Sequence, residues 1–159
     1  MGVPLTILVV EDNPDDALLL KLAFEEAGVE ASVRFVGNGK EAMEYLKGTS
    51  PLSHAGGSPL PNLLVLDLKL PRISGFEILS WLRAQPELSQ ITVAVLSGSS
   101  SPADIEHART NGADLCLKKP VRFGELGQVV RQILQEAAQH RFTPLPLQNA
   151  TAGSQLARA

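Results

Sequence analysis

Residues 63–71 read LLVLDLKLP, a run of four apolar residues that ends on the carboxylate of Asp67. An apolar run this short is typical of a strand buried on both faces, as in a parallel sheet covered by helices. Asp67 would then lie at the carboxyl end of that strand, where open α/β sheets bind their ligands. A solvated aspartate in a turn is the alternative, and this segment alone does not decide between the two.

Four other segments have the character of strands and alternate with helical patterns. The strands are expected at 5–10, 32–36, 91–96 and 114–117, in addition to the one that begins at Leu63. The helices are expected at about 14–27, 38–47, 75–85, 101–110 and 123–138. Strands and helices that alternate in this way predict an α/β fold with a parallel sheet and right-handed crossovers.

The first helix has a well-marked start and an apolar surface wider than its core stripe. Asn13 is a suitable N-cap, and Pro14 suits the first helical position. The stripe expected to face the sheet consists of Leu19, Leu20, Ala23, Phe24 and Ala27. Leu18 and Leu22 lie off this stripe, so we expect them on a second, outward side of the helix.

Composition narrows the class of protein. A chain of 159 residues suffices for one domain with a sizeable core, but not for two ordinary ones. A net charge of -3 gives no electrostatic reason to expect nucleic acid or an anionic membrane as a partner. The single cysteine, Cys116, excludes an intramolecular disulfide and fits a reducing compartment. With no apolar run of bilayer length and no secretory leader pattern, we expect a cytoplasmic protein.

Polar residues stand at the carboxyl ends of four of the five predicted strands. The first strand is followed by Glu11 and Asp12, the third by Asp67, the fourth by Ser97 and the fifth by Lys119. Carboxyl ends of parallel strands meet at one edge of the sheet, so these side chains are expected to converge there. Turn residues of purely local importance would not follow this order, and the pattern therefore predicts a functional site.

The residue types at this edge indicate phosphoryl chemistry. Three neighbouring carboxylates repel one another, and a hard divalent cation such as Mg²⁺ relieves that repulsion with oxygen ligands. Lys119 adds a positive charge and Ser97 a hydroxyl donor. Such a set of groups suits a phosphoryl group carried on Asp67, because carboxylates form aspartyl-phosphate intermediates.

Four motifs resemble the receiver domain of bacterial two-component response regulators over about residues 5–138. They are the acidic pair in VVEDNP, the aspartate in VLDLKLP followed by Gly75, the hydroxyl in VLSG, and the lysine in LKKP. The resemblance implies a flavodoxin-like doubly wound sheet with strand order 2-1-3-4-5. We therefore expect a receiver domain at 1–139 and, since no helical period follows it, a flexible tail at 140–159.

The resemblance also implies roles for the acidic residues. By position, Asp67 resembles the phosphoacceptor and Asp12 the direct Mg²⁺ ligand. Glu11 resembles the second acid, which acts through water, and Lys69 would offer only its backbone carbonyl to the metal. A protein of this kind is not an enzyme in the usual sense, although it promotes its own phosphorylation and slow dephosphorylation.

The remaining matched positions belong to the switch of the family, which is the hydroxyl and the aromatic residue that respond to the phosphoryl group. Ser97 matches the hydroxyl that engages the phosphoryl group, and Lys119 matches the family's lysine, whose bond to Pro120 is cis in the family. The family usually has Tyr or Phe three residues before that lysine, whereas this chain has Cys116. We interpret Cys116 as a small buried apolar residue rather than a redox sensor, and the resemblance therefore does not extend to the aromatic half of the switch.

The implied partner is a sensor histidine kinase. The chain resembles single-domain regulators partnered with bacterial phytochrome kinases in its irregular segment 48–62 and in the motifs VEDNPDD and LDLKLP. The segment after the last helix is shorter than a DNA-binding module, so output is expected through protein contacts, including a homodimer. The outward residues Leu18 and Leu22 are expected to meet the kinase.

Three other readings rank lower. A phosphatase of the haloacid-dehalogenase type needs a second acid two residues after its aspartate, where this chain has Lys69. A flavodoxin-like cofactor binder needs a phosphate-binding loop after the first strand, where Glu11 and Asp12 would repel a phosphate. A degenerate receiver would be expected to lack Asp67 or Lys119.

Overall fold

A computed structural model describes residues 5–48, 60–98 and 101–142, and it contains the expected alternation of strands and helices. The strands are β1 Leu5–Val10, β2 Ala31–Val36, β3 Leu63–Leu66, β4 Thr92–Ser97 and β5 Leu115–Lys118. The helices are α1 Pro14–Glu26, α2 Gly39–Lys47, α3 Gly75–Arg83, α4 Pro102–Thr110 and α5 Phe123–Phe142. None of these described helices has both the length and the apolar character that a membrane span requires.

The predicted boundaries agree with these elements to within a few residues, and α5 differs most. It continues to Phe142 instead of ending near Ala138. Most of the expected loop at 48–62 and of the expected tail at 140–159 lies outside the described residues, namely 49–59 and 143–159.

The five strands form one parallel sheet in the order β2-β1-β3-β4-β5. This confirms the predicted flavodoxin-like fold. β3 is the central strand and is buried along its whole length, as its uninterrupted apolar sequence predicts. The order changes direction between β1 and β3, and their carboxyl ends therefore border the crevice in which such sheets bind ligands.

The strands contribute alternate residues to two separate apolar layers, one on each face of the sheet, because successive side chains of a strand point to opposite faces. On β3, Leu64 and Leu66 belong to one layer, whereas Leu63 and Val65 belong to the other. The first layer is completed by residues of α2, α3 and α4: Ala42, Leu46, Ile78, Leu79, Leu82 and Ala108. The second is completed by residues of α1 and α5: Leu20, Ala23, Phe24, Leu126, Val130 and Ile133.

The two sides of α1 differ as the sequence predicts. Leu20, Ala23 and Phe24 are buried against the sheet, while Leu18 is 55% exposed and Leu22 is 39% exposed. The helix begins where expected, because the Asn13 side chain accepts hydrogen bonds from the first-turn backbone N–H groups. An exposed leucine pair on a well-formed helix leaves an apolar surface available to a partner.

Arg83, at the end of α3, joins the amino ends of β4 and β5. Its guanidinium donates to the carbonyl oxygens of Ser89, Ile91 and Gly112 at 2.8–3.0 Å and pairs with Asp114 at 2.9 Å. The planar fork of an arginine suits several acceptors at once. This network therefore stabilises the edge of the sheet opposite the polar strand ends, and the sequence analysis did not single it out.

Candidate functional site

The structure brings the predicted polar residues to one edge of the sheet. Glu11 follows β1 and is 5% exposed, Asp67 follows β3 and is 9% exposed, and Ser97 ends β4 and is 3% exposed. Lys119 follows β5, and its backbone N–H donates to the Ser97 carbonyl oxygen at 2.7 Å. The parallel order of the strands thus gathers groups that are up to 108 residues apart in the chain.

Three carboxylates form a cluster with room for a cation between them. Glu11, Asp12 and Asp67 each offer an oxygen, and these oxygens all lie within 4.8 Å of one another. Glu11 and Asp67 are buried whereas Asp12 is exposed, so a cation could enter from the Asp12 side. Burial raises the pKa of the Glu11 carboxyl, although the hydrogen bond from Lys119 acts in the opposite direction. Carboxylate oxygens at this spacing suit a hard divalent cation.

Lys119 is the centre of the charge network. Its Nζ lies 2.7 Å from Glu11 Oε1, 3.2 Å from Asp16 Oδ2 and 3.3 Å from Asp67 Oδ2. Burial alone would lower the pKa of this ammonium, but Glu11, Asp67 and Asp16 outweigh burial and raise it. Lys119 therefore stays positively charged beside Asp67.

The contact between Asp16 and Lys119 was not predicted from the sequence. Asp16 lies in the first turn of α1, where an acid is also explained by the helix dipole. Its position four residues after Asp12 is the one signal that could have pointed to the site, and that signal is weak because Asp12 lies before the helix begins.

Two hydrogen bonds from backbone N–H groups fix Asp67 and the segment that follows β3. The Lys69 N–H donates to Asp67 Oδ1 at 3.1 Å, while the Lys69 side chain is exposed. The Gly75 N–H donates to the Leu68 carbonyl oxygen at 2.9 Å. A Cβ added to Gly75 would lie 2.3 Å from the Asp67 carbonyl oxygen and 2.7 Å from the Leu68 Cα. The close approach of α3 to this segment therefore requires glycine.

The expectation of a cis bond between Lys119 and Pro120 is wrong. The structure has no cis peptide bond among the described residues, which include both of these. A trans bond is favoured by about 0.5–1 kcal/mol for a residue before proline. Lys119 reaches Asp67 with the trans bond in place.

Cys116 lies on β5, half-buried against the layer formed by α2, α3 and α4. A small cavity beside it is also lined by Ser97, Ile105 and Ala108. Burial raises the pKa of the Cys116 thiol, and the interaction with Arg109 only partly opposes this. A thiol that stays protonated is a poor nucleophile, which favours the packing role over redox sensing.

Comparisons of this chain with a family model and with known proteins indicate the same family. Residues 7–131 match the response regulator receiver domain. The probable methanogenesis regulatory protein FilR2 of Methanothrix harundinacea is 38% identical over 130 residues, which cover 82% of this chain and 81% of FilR2. The response regulator Rcp1 of Synechocystis sp. is 32% identical over 130 residues, which cover 82% of this chain and 86% of Rcp1.

Solved structures show the same likeness in three dimensions. The phosphorylated cyanobacterial phytochrome response regulator RcpA matches with a TM-score of 0.79 at 32% identity, over 89% of this chain and 99% of RcpA. The Mn²⁺-bound form of Rcp1 matches with a TM-score of 0.75 at 29% identity, over 90% of this chain and 99% of that chain.

Proposed function

The chain belongs to the family of response regulator receiver domains, and on that premise we propose that its residues 1–139 accept a phosphoryl group from a histidine kinase on Asp67. The observation that carries the proposal is the environment of this carboxylate. Asp67 is buried at the end of the central strand, with one oxygen bonded to the Lys69 N–H and the other 3.3 Å from Lys119 Nζ. Both oxygens of Asp67 are thus fixed in place, at the carboxyl end of the strand that lies in the middle of the sheet.

The metal in this proposal is Mg²⁺, and the donor set fits it. Asp12 and Asp67 would supply carboxylate oxygens, Lys69 would supply its backbone carbonyl oxygen, and Glu11 would bind through water. When bound, the cation neutralises charge on the oxygens of the transferred group. The carboxylate cluster of this chain and the Mn²⁺-bound form of the similar Rcp1 support a divalent cation here.

The transfer forms one bond and breaks another. An Asp67 oxygen attacks phosphorus, the bond between phosphorus and the kinase histidine nitrogen breaks, and the leaving nitrogen keeps the electron pair and takes up a proton. Lys119 and the Ser97 hydroxyl donate to the phosphoryl oxygens of the acyl phosphate. Because both residues end neighbouring strands, their movement toward the phosphoryl group transmits its presence to the rest of the domain.

The proposal is tested with a small phosphoryl donor. Incubation with acetyl phosphate and Mg²⁺ should add one phosphoryl group to the intact mass, whereas the same incubation with a chelator should add none. Labelling that does not depend on a divalent cation would contradict the proposed metal centre.

We further propose that the kinase docks on the outward side of α1, and that it is a phytochrome-type kinase, as the names of RcpA and its relatives suggest. Leu18 and Leu22 are exposed there, Val121 is exposed on the connection between β5 and α5, and Phe123 is exposed at the start of α5. Val121 and Phe123 also line a cavity with Lys119. An apolar surface so close to the site suits a helix that delivers a phosphohistidine.

Changing Leu18 and Leu22 together to Glu should lower the rate of transfer from the kinase roughly tenfold or more, because central apolar contacts carry most of a docking energy. Labelling by acetyl phosphate should be unchanged, since that donor needs no docking surface. Val29→Glu is the matched control, because Val29 is 40% exposed beyond the far end of α1. An equal loss of both labelling reactions in the double variant would indicate a folding defect and contradict the docking role.

The proposed phosphoryl group is expected to be lost slowly, because Lys69 stands beside the path of the attacking water. Its exposed side chain has donors but no acceptor, and therefore cannot take a proton from that water. Ser99, the other residue expected beside this path, lies outside the described residues.

Lys69→Asn should shorten the lifetime of the acyl phosphate severalfold, measured as decay in Mg²⁺ buffer. Lys21→Asn removes an exposed lysine from the middle of α1 and should leave the decay unchanged. Slower decay of Lys69→Asn would show that Lys69 assists hydrolysis.

A homodimer through α4, β5 and α5 completes the proposal. β5 is an edge strand of the sheet, and Leu115 and Leu117 on it are only half-buried. An edge strand can be covered by a partner, and two-fold association is the commonest form of soluble oligomer. Sedimentation at micromolar concentrations should show a dimer whose share grows with beryllofluoride. A strictly monomeric mass in both conditions would contradict it.

A further inference from the structure

The ammonium of Lys119 has as many donors as it has carboxylate neighbours. Its three N–H bonds face Glu11, Asp67 and Asp16. Glu11 and Asp67 also belong to the carboxylate cluster, whereas Asp16 does not. Asp16 is therefore the one carboxylate partner of Lys119 that is not needed by a cation in the proposed metal centre.

We propose that Asp16 is a positioning residue, which draws the Lys119 ammonium toward α1 and so leaves Glu11 and Asp67 accessible to a divalent cation. This inference rests on the proposed function and assigns a further residue to the same site. Without Asp16, the ammonium keeps only Glu11 and Asp67 as partners, and it can shorten its 3.3 Å distance to Asp67 while it stays bonded to Glu11. It then competes directly with a cation for the oxygens that both positive charges require.

The burial of the three acids agrees with this division of roles. The Glu11 side chain is 3% exposed and that of Asp67 is 11% exposed, but that of Asp16 is 39% exposed. Solvent screens the Asp16 pair, which limits its direct contribution to stability. Its effect should appear in the affinity for the cation, because Lys119 and the cation share the same two buried acids.

Asp16→Asn should weaken the binding of Mg²⁺ or Mn²⁺ roughly three- to tenfold, the range expected for loss of one hydrogen bond of ordinary strength. The measurement is calorimetric titration of the metal alone into the whole chain. Asp15→Asn is the matched control, because it removes the same charge from the same helical turn at a residue that makes no ion pair with Lys119. Asp16→Glu, which keeps the carboxylate, should restore most of the affinity. Equal weakening by Asp16→Asn and Asp15→Asn would reduce the effect to charge alone and overturn the proposal.

A double-mutant cycle separates position from charge. In a Lys119→Gln background no ammonium competes for the acids, so Asp16→Asn should change the metal affinity no more than Asp15→Asn does. A full loss on Asp16→Asn in that background would show that Asp16 does not act through Lys119, and would overturn the proposal.

A second measurement follows Lys119 without any metal. An ammonium held by three carboxylates exchanges slowly with water, so its signal should be visible in nitrogen–proton NMR spectra of the wild type and of Asp15→Asn. It should broaden or shift in Asp16→Asn, and an unchanged signal there would overturn the proposal. A wild type that binds no divalent cation would refute the proposed metal centre, while these spectra would still decide whether Asp16 positions Lys119.

Discussion

Asp67→Asn is expected to abolish phosphorylation by both the kinase and acetyl phosphate. The neutral amide oxygen is a far weaker nucleophile than a carboxylate, and an acyl phosphate cannot form on it. The substitution nearly preserves the size of the side chain, and the amide oxygen can still accept the hydrogen bond from the Lys69 N–H. The fold should therefore persist while the label is lost, as judged by intact mass and by thermal unfolding of the same samples.

The chemistry of any residual label decides between Asp67 and its neighbours. An acyl phosphate is cleaved by hydroxylamine, whereas a phosphate ester on the nearby Ser97 hydroxyl is not. Undiminished hydroxylamine-sensitive labelling of Asp67→Asn would place the acceptor on another carboxylate, such as Asp12 or Glu11. Asp15→Asn makes the same chemical change at an exposed position and should be labelled like the wild type.

The architecture could be predicted because it depends on local patterns. The apolar run at Leu63–Leu66 indicates a strand covered on both faces, and the alternation with helices then leaves few possible topologies. The convergence of Asp67 and Lys119 followed from that topology alone, since parallel strands end at the same edge. The detailed strand order depended on the family resemblance and was confirmed by the sheet.

Contacts between side chains remote in sequence could not be predicted in this way. Asp16 lies 103 residues from Lys119, and helical spacing places it in the first turn of α1 without giving its distance from β5. Arg83 donates to the carbonyl oxygen of Gly112, 29 residues away, and that oxygen carries no signal in the sequence. Such contacts depend on how helices settle against the sheet, which the hydrophobic pattern specifies only to within a face.

The isomer of the bond between Lys119 and Pro120 could not be predicted from the local sequence. The intrinsic preference for the trans form is only about 0.5–1 kcal/mol, so contacts remote in sequence decide the isomer, and the structure has the trans form.

Gly75→Ala is expected to damage both the stability and the site. The added methyl would meet the Asp67 carbonyl oxygen at 2.3 Å and the Leu68 Cα at 2.7 Å, and both are backbone atoms that cannot rotate away. α3 cannot move outward freely, because the Gly75 N–H donates to the Leu68 carbonyl oxygen and because Ile78, Leu79 and Leu82 are fully buried in the core. The free energy of unfolding should fall by about 1–3 kcal/mol, as for overpacking of a core.

The same clash should move the Asp67 carboxylate relative to Lys119, and so weaken binding of the divalent cation and slow labelling by acetyl phosphate. Gly124→Ala is the matched control, because Gly124 also lies in the first turn of a helix and no atom lies within 4 Å of its added Cβ. That variant should be neutral or more stable by up to about 1 kcal/mol, since alanine favours the helix. Both are measured by thermal unfolding and metal titration. If the two variants had the same stability and the same metal affinity, α3 would have to move outward at little cost. Gly75 would then not be the residue that fixes the position of Asp67.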